Sequence, residues 1–439
     1  MTISMANNPR LRIAVLCILY CAQGIPHGFV TIALIAWLVE RGVDTTGVAM
    51  ITGASVLPWS FKWAWGPIVD RYQIPEYGRR RPWIIFAQML MILSAFTLTL
   101  VPDPVQALGT LATAIFLHNV FSGLQDVSVD ALAVDLLRPE ERGRANGLMY
   151  GSKYAGTALG AAGLGAVLAR SDGSLFPAVG LMMLALAVIM CVPLCIRERP
   201  GEKRFPFGDH ASGHLVHDAK DVNEESVNAS VADLMVRLFR AFGRRNTLLA
   251  AVLGFLIWIP NGMTYPVSMT LFIQELGWTQ ESYSNLTGTY GIAAGLTGSI
   301  VGGFLADLIG ARTLAGFASV MMGCMLGMFG LAPDAWWNDT SFVSVYLVAE
   351  QGIQGMLSVS LFAIFMSVSW KVVAATQFTA YMALLNLSYS FGNAASPWLE
   401  GIGVRNVFLL AAVIQIMVVL VLPFCSPSRE KTTPDDGVA

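Results

Sequence analysis

Asp126 and Asp130 stand four residues apart in SGLQDVSVDALAVDLL (122–137), one helical turn apart on a stretch that is otherwise apolar, with Asp135 beyond them. Carboxylates one turn apart can pair with cations, take up and release protons, or share general acid/base work. Holding one at the centre of a membrane helix costs roughly 2.5–3.5 kcal/mol on insertion scales, so each has to be used for something. Lys62, Lys153 and Glu350 are the other charges set within apolar stretches. No catalytic nucleophile, metal-ligand set or phosphate-cradling Gly-Lys loop accompanies them. The residues therefore argue against an enzyme, against a bound metal or cofactor, and against ATP as the driving force within this chain. Proton movement and ion pairing remain.

The elements that must carry these charges follow from composition. Of 439 residues 55% are apolar and 13% charged, and the mean hydropathy is +0.60. A soluble domain carries about 25% charged residues, so the chain reads as an all-α membrane protein. The net charge of −2 excludes a basic nucleic-acid binder. Stretches long enough to cross about 30 Å of hydrocarbon lie near 11–33, 46–66, 83–101, 107–135, 145–169 and 176–196. After a polar gap they resume near 247–273, 284–306, 313–332, 342–369, 377–396 and 404–424. The expectation is twelve transmembrane helices in two six-helix halves, 1–196 and 246–439, joined by a cytosolic linker, 197–245.

Orientation comes from the basic residues. With a cytosolic N-terminus, 22 of 27 Lys and Arg face the cytosol, and only Arg41, Arg170 and Arg405 lie in outer loops. Both termini are then inside. The first apolar run has no small-residue cleavage site and reads as a span rather than a secretory signal. The tail of the linker, ADLMVRLFRAFGRRN, has the pattern of an amphipathic helix on the inner membrane surface. His210, His214 and His217 read as solvated loop histidines, and the six cysteines as packing residues.

Polar residues inside the spans recur at helical spacing. The first span carries Tyr20, Gln23, His27 and Thr31, and the fourth carries His118/Asn119, Ser122, Gln125/Asp126 and Asp130. The seventh carries Asn261, Thr264/Tyr265 and Ser268, and the tenth Tyr346, Glu350, Gln354 and Ser358. The fifth and eleventh add Tyr150, Lys153 and Thr157, and Asn386, Tyr389/Ser390 and Asn393. Each stripe alone could be interhelical hydrogen-bond glue. Stripes on every third helix place one aqueous cavity between the halves, because polar faces avoid lipid. Gly147, Gly151, Gly156, Gly160 and Gly163 read as a close-packing face on the fifth span.

Counting depth from the turn near Arg138–Pro139 sets Asp126 level with Lys153. Lys62, four residues from the inner end of its span, falls level with Asp130. Depth alone therefore pairs Asp126 with Lys153 and Asp130 with Lys62, as a gate or proton switch on the cytosolic side of the cavity. Glu350 is the alternative proton carrier, and Asp135 reads as a solvated helix end.

The halves also echo one another: GPIVDRYQIPEYGRRR (66–81) and GGFLADLIGAR (302–312) both set Gly-x-x-x-Asp after a span. Internal repeats of this kind mark secondary transporters. GPIVDRYQIPEYGRRRPW resembles the loop signature of the major facilitator superfamily, Gly-x-x-x-Asp-Arg-x-Gly-Arg-Arg. Its longer form, with FKWAWGP, AQGIPHG, LQDVSVDALAVDLL and AATQFTAYMALLNLS, is similar to the peptide/acetyl-coenzyme-A transporter group, which includes AmpG-type muropeptide permeases.

The resemblance implies a proton-driven, alternating-access transporter. Asp70, Arg71, Arg79, Arg80 and Arg81 would form the cytosolic gating loop. Asp307 and Arg312 form its second copy, where Leu308 replaces an Arg. The partners implied are protons, the bilayer and a bulky polar or peptide-containing solute, first an anhydromuropeptide, with siderophores or acyl-coenzyme A behind. A monomer in a bacterial inner membrane is expected. A proton-coupled drug exporter has the same fold, but its Gly-Pro signature is missing from YAGTALGAAGLG (154–165).

Overall fold

A computed structural model describes residues 4–171, 173–203, 242–369 and 374–425. These residues are helical almost throughout. The first half contains α1 (Pro9–Glu40), α2 (45–71), α3 (Arg81–Thr99), α4 (Leu108–Leu136), α5 (139–169) and α6 (Phe176–Cys195). The second contains α7 (Arg245–Glu275), α8 (Gln280–Ile309), α9 (Ala311–Leu331), α10 (Thr340–Val368), α11 (Ala374–Leu399) and α12 (Val404–Phe424). Eight of these helices, α1, α3, α6–α10 and α12, are each long and apolar enough to cross a membrane. The others are α2, α4, α5 and α11, whose apolar runs are diluted by Lys62, by Asp126, Asp130 and Asp135, by Lys153, and by Asn386 and Asn393.

Local signals explain where the helices start. Asn8 caps α1 by accepting from the Leu11 N–H at 3.1 Å, and Asp44 caps α2 by accepting from Gly47 at 2.8 Å. Both satisfy donors that the first turn leaves free. Helix α3 is capped from far along the chain: Glu198 accepts from the backbone N–H of Arg79 (3.0 Å), Arg80 (2.7 Å) and Arg81. Residues 197–203, counted with the linker on sequence, are thus tied to the first half, where Met5 and Ala6 also donate to Arg197 and Glu198. Most of the sequence-predicted amphipathic tail and the three linker histidines fall outside the described residues.

Packing within each half rests on small residues at helix crossings. A Cβ on Gly156 would lie 2.4 Å from the Cys21 carbonyl, and one on Gly160 2.0 Å from that of Ile25, so α5 and α1 touch backbone to backbone. The same relation recurs in the second half, where a Cβ on Gly262 of α7 would lie 2.2 Å from the Tyr389 carbonyl of α11. Gly147, Gly151 and Gly163 face open space, so the close-packing face expected of all five α5 glycines is confined to two of them. Around the outside Leu93, Phe96, Leu181, Val188, Phe304 and Val345 are exposed, as a surface bathed in lipid requires.

The halves are joined at the end that carries the α1–α2 and α7–α8 turns. Gln274 Nε2 donates to the carbonyls of Val39 (2.8 Å) and Val43 (2.9 Å). Thr45 donates to Glu400 at 3.1 Å, Asn393 Nδ2 to the Ala49 carbonyl at 2.6 Å, and Arg170 pairs with Glu281 at 3.0 Å. Tyr265 donates to the Thr31 carbonyl at mid-depth. Among the described residues no hydrogen bond joins the halves at the opposite end, where α2 and α3 meet.

Candidate functional site

The central charge cluster lies on α1, α2, α4 and α5. Lys62 Nζ pairs with Asp126 Oδ2 at 2.7 Å, with the Asp126 side chain 4% and that of Lys62 16% exposed. Asp130 accepts from the Tyr20 hydroxyl. Lys153 has no carboxylate within 4 Å among the described residues, and its ammonium lies 4.9 Å from the centre of the Trp59 ring. The pairing expected from depth is therefore corrected. Helix α2 continues past the apolar run to Arg71, through a 3₁₀ stretch, Leu57–Ala64, and about two α-helical turns, Trp65–Arg71. Lys62 thus lies about 14 Å from its helix end, by rises of about 2.0 and 1.5 Å per residue. Asp126, ten residues from the end of α4 at Leu136, lies about 15 Å from its own. Lys62 is deeper than counting from the end of its apolar run suggests.

The amides of the first half act as struts. Gln23 Nε2 donates to Gln125 Oε1 at 2.9 Å, and Gln125 Nε2 to the Leu19 carbonyl at 3.2 Å, with both side chains wholly buried. Asn119 accepts from the Trp59 indole at 3.0 Å and donates to Ile115 at 2.9 Å. His118 turns away from the centre, its Nδ1 lying 3.2 Å from Ser94 Oγ and 3.1 Å from the Met91 carbonyl of α3. His27 is exposed and within electrostatic reach of Lys153. Gly24 and Gly28, on either side of His27, pack against the α5 backbone.

Glu350 is the charge of the second half. It is half-buried, and its Oε1 accepts from Asn261 Nδ2 and from Gln354 Nε2, each at 3.3 Å. No cation lies within 4 Å of it among the described residues. Tyr265 and Tyr389, ring centres 6.3 Å apart, stand within its electrostatic reach, and Asn386 lies half-buried one turn below Tyr389. Tyr346, one turn above Glu350 on α10, is instead packed into an aromatic stack, 4.2 Å from Phe329 and 6.3 Å from Phe408.

The gating-loop residues form a second cluster at the end where α2 and α3 meet. Arg80 pairs with Asp135 at 2.8 Å and with Asp70 at 2.6 Å, and Arg79 approaches Asp135 at 3.7 Å. Asp135 is thus an ion-pair partner linking α4 to the loop rather than a solvated helix end. Arg81 donates to the carbonyls of Lys203 (2.9 Å), Leu194 (2.9 Å) and Pro193. Asp70, Arg71, Asp307 and Arg312 are exposed. Glu202, which accepts from the Glu198 N–H at 2.9 Å, is pushed up to about 7 by burial and then by the Glu198 carboxylate. Sequence reasoning missed Glu198, Glu202, Gln274 and Trp59. Only Trp59 left a signal, one turn before Lys62 on the same face.

Comparison with known proteins bears on what this arrangement does. The family model described as Major Facilitator Superfamily matches residues 16–266 and 250–437. The anhydromuropeptide permease of Escherichia coli K12 is 24% identical over 436 residues, covering 97% of this chain and 82% of the relative. A putative AmpG transporter of Rickettsia conorii is 28% identical over 302 residues, 67% of each chain. Among solved structures, a POT family transporter in complex with a thioalcohol-conjugated peptide superposes with a TM-score of 0.70 at 15% identity, covering 94% of this chain and 95% of the other. A D-xylose–proton symporter gives 0.68 at 13% identity, covering 94% and 98%.

Proposed function

The chain belongs to the Major Facilitator Superfamily, and on that premise we propose that it is a proton-coupled importer of anhydromuropeptide-like solutes. It is a secondary transporter of a bulky solute and not an enzyme. In the reading proposed here the helices cross the membrane twelve times, with both termini cytosolic in a bacterial inner membrane, and the chain acts as a monomer. The joined end is then the periplasmic side, and the structure corresponds to a state open to the cytosol. Alternating access breaks the Gln274, Thr45 and Asn393 contacts and closes the opposite end.

The observation that carries the proton coupling is the partnering of the membrane charges. Lys62 and Asp126 neutralise one another. Among the described residues Asp130 accepts from the Tyr20 hydroxyl with Lys62 and Lys153 within electrostatic reach, whereas Glu350 accepts from two amides and has no cation within 4 Å. A carboxylate without a cation in a low-dielectric site is relieved by a proton, and releases it when the site is hydrated or a cation approaches. The solute assignment draws on the muropeptide permease among the relatives and on the polar side chains left at least partly exposed within the helices, His27, Tyr265, Gln354, Asn386 and Tyr389.

Uptake into proteoliposomes tests both parts. An imposed inward proton gradient should accumulate radiolabelled anhydromuropeptide, and a protonophore should abolish the accumulation. Accumulation that survives the protonophore would remove the coupling. A ferric siderophore or acetyl-coenzyme A accumulating in place of the muropeptide would replace the solute and leave the transporter assignment standing.

A further inference from the structure

The charges of the first-half cluster balance, Lys62 and Lys153 against Asp126 and Asp130. Asp126 bonds Lys62 at 2.7 Å and has Lys153 within electrostatic reach. Asp130 accepts from the Tyr20 hydroxyl of α1, with Lys62 of α2, Asp126 of its own helix, and Tyr150 and Lys153 of α5 also acting on it. Such a quartet has more than one way to pair. In the arrangement seen, one carboxylate has a bonded cation, the other a bonded hydroxyl, and the Lys153 ammonium lies beyond 4 Å of both. What selects this arrangement lies outside the four charges.

Among the described residues Trp59 is the one ring that stands over both lysines. Its centre lies 4.9 Å from Lys153 Nζ and 5.7 Å from Lys62 Nζ, inside the roughly 6 Å over which a ring face attracts an ammonium. The local backbone puts it there. Leu57–Ala64 is a 3₁₀ stretch with Pro58 in its first turn, where the missing N–H forfeits no hydrogen bond. Three residues of 3₁₀ helix complete one turn, so Trp59 stands in line with Lys62, about 6 Å along the axis. An α-helix would turn the two about 60° apart. The indole is held in orientation, because its N–H donates to Asn119 at 3.0 Å and the Asn119 amide in turn donates to the Ile115 carbonyl at 2.9 Å. The Lys153 backbone is held as well, since a Cβ on Gly24 of α1 would clash with its carbonyl. What can move is the Lys153 stem and its ammonium.

We infer that Trp59 is a positioning residue for proton coupling: its ring face holds the Lys153 ammonium off Asp130, so that Lys62 keeps Asp126 and Asp130 keeps an exchangeable proton. The inference rests on the proton-coupled reading above. An ammonium released from the ring has two carboxylates acting on it and a flexible stem with which to reach them. Bonded to Asp130, it would hold that carboxylate ionised, because a close cation favours the charged form. Proton exchange at Asp130 then stops, while the contacts between the halves stay as they were. Trp59 thus acts through Lys153 rather than on the solute.

The test compares two assays on the full chain in proteoliposomes with radiolabelled anhydromuropeptide. One is accumulation driven by an inward proton gradient. The other is counterflow at equal pH on both sides, which needs solute binding and alternation but no net proton movement. Trp59→Leu removes the ring face and should lower accumulation at least tenfold while counterflow stays within threefold of wild type. Trp59→Phe keeps a ring face and should hold both within threefold. Where Trp59→Leu fails to fold, Trp59→Met supplies an apolar chain without a ring and carries the same expectation.

Equal accumulation by the Leu and Phe variants would overturn the inference, because the ring face would then be dispensable. Counterflow falling in step with accumulation in Trp59→Leu would overturn it too, and would make Trp59 a packing or solute contact. Wild type that exchanges solute in counterflow but does not accumulate it under the gradient would instead refute the coupled reading on which the inference stands. Wild type inactive in both assays would refute the muropeptide assignment.

Discussion

Replacing Lys62 by Met should cost the protein about 3–5 kcal/mol, because it leaves the Asp126 carboxylate buried without its cation. The figure rests on three features of the pair. The contact is 2.7 Å, the Asp126 side chain is 4% exposed, and the Asp130 carboxylate one turn away adds repulsion that Lys62 now offsets. Asp126→Asn should cost less, because Lys62 is the more exposed partner and its long stem can carry the ammonium toward the surface. Replacing both at once, Lys62→Met with Asp126→Leu, removes the two charges together and should return stability to within about 1–2 kcal/mol of wild type.

The assay is a double-mutant cycle read as apparent melting temperature in detergent, with all four proteins measured at one pH and salt concentration. For a half of roughly 200 residues each kcal/mol moves the midpoint by about 2–4 °C, so Lys62→Met should melt about 6–20 °C below wild type. Proteoliposome uptake run alongside separates architecture from mechanism. The double variant should be stable and yet fail to accumulate solute, if the pair breaks and reforms during the cycle. A coupling below about 0.5 kcal/mol would refute the assignment of Lys62 as the partner. So would Lys153→Met destabilising the protein while Lys62→Met left it unchanged, since that result restores the pairing read from depth.

Gln274→Leu removes two interdomain hydrogen bonds of about 1 kcal/mol each, which should raise the population open at the joined end by about thirtyfold; spin-label distances between positions 41 and 281 should lengthen, and an unchanged distribution would show that Gln274 does not hold that end. Gly156→Ala forces a Cβ against the Cys21 carbonyl and should destabilise by at least about 1–3 kcal/mol, whereas Gly147→Ala, facing open space, should be nearly neutral; equal melting temperatures would contradict the described α1–α5 contact. Glu202, pushed up to about 7 by burial and by Glu198, binds a proton in the folded state at pH values where the unfolded chain has lost it. Stability should therefore fall as pH rises from about 4.5 to about 7, and Glu202→Gln should flatten that slope in a pH series of melting curves.

The sequence made the axial coordinate of most residues legible and left the rotational one open. Helix boundaries, the stripes on α1, α4, α7 and α10, and the neighbourhood of Asp126 all follow from spacing along the chain. Which way a side chain faces depends on how neighbouring helices cross. His118 shares the Asn119 position in the stripe, yet turns to the α3 backbone, and Tyr346 keeps the spacing of Glu350 while stacking on Phe329. The Lys62 error had a different origin. Depth was counted from the end of an apolar run, but α2 continues as helix through VDR, whose charges end the run without ending the hydrogen bonding. The Glu198 cap on α3 lies 117–119 residues from its donors and has no local pattern to announce it.

The repeated halves share a way of packing and differ in their charged loops. The α1–α5 and α7–α11 crossings both bring backbone against backbone at glycines, so each half moves as a body whose interior cannot slide without steric cost. The joined interface adds polar contacts, the amides and hydroxyls of Gln274, Asn393 and Thr45 and the exposed Arg170–Glu281 pair, to one close approach of the same kind, where a Cβ on Gly288 of α8 would lie 3.0 Å from the Ala162 backbone nitrogen of α5. Each of these polar contacts can be exchanged for water at a net cost of about 1 kcal/mol. The α2–α3 loop breaks the symmetry. Arg80, Asp135, Asp70 and Glu198 lock it to α4 and to the segment after α6, whereas in the second copy Leu308 stands where the first has Arg71. The first half therefore presents a preformed charged edge at the end where the halves part, and closure there requires the second half to come to it.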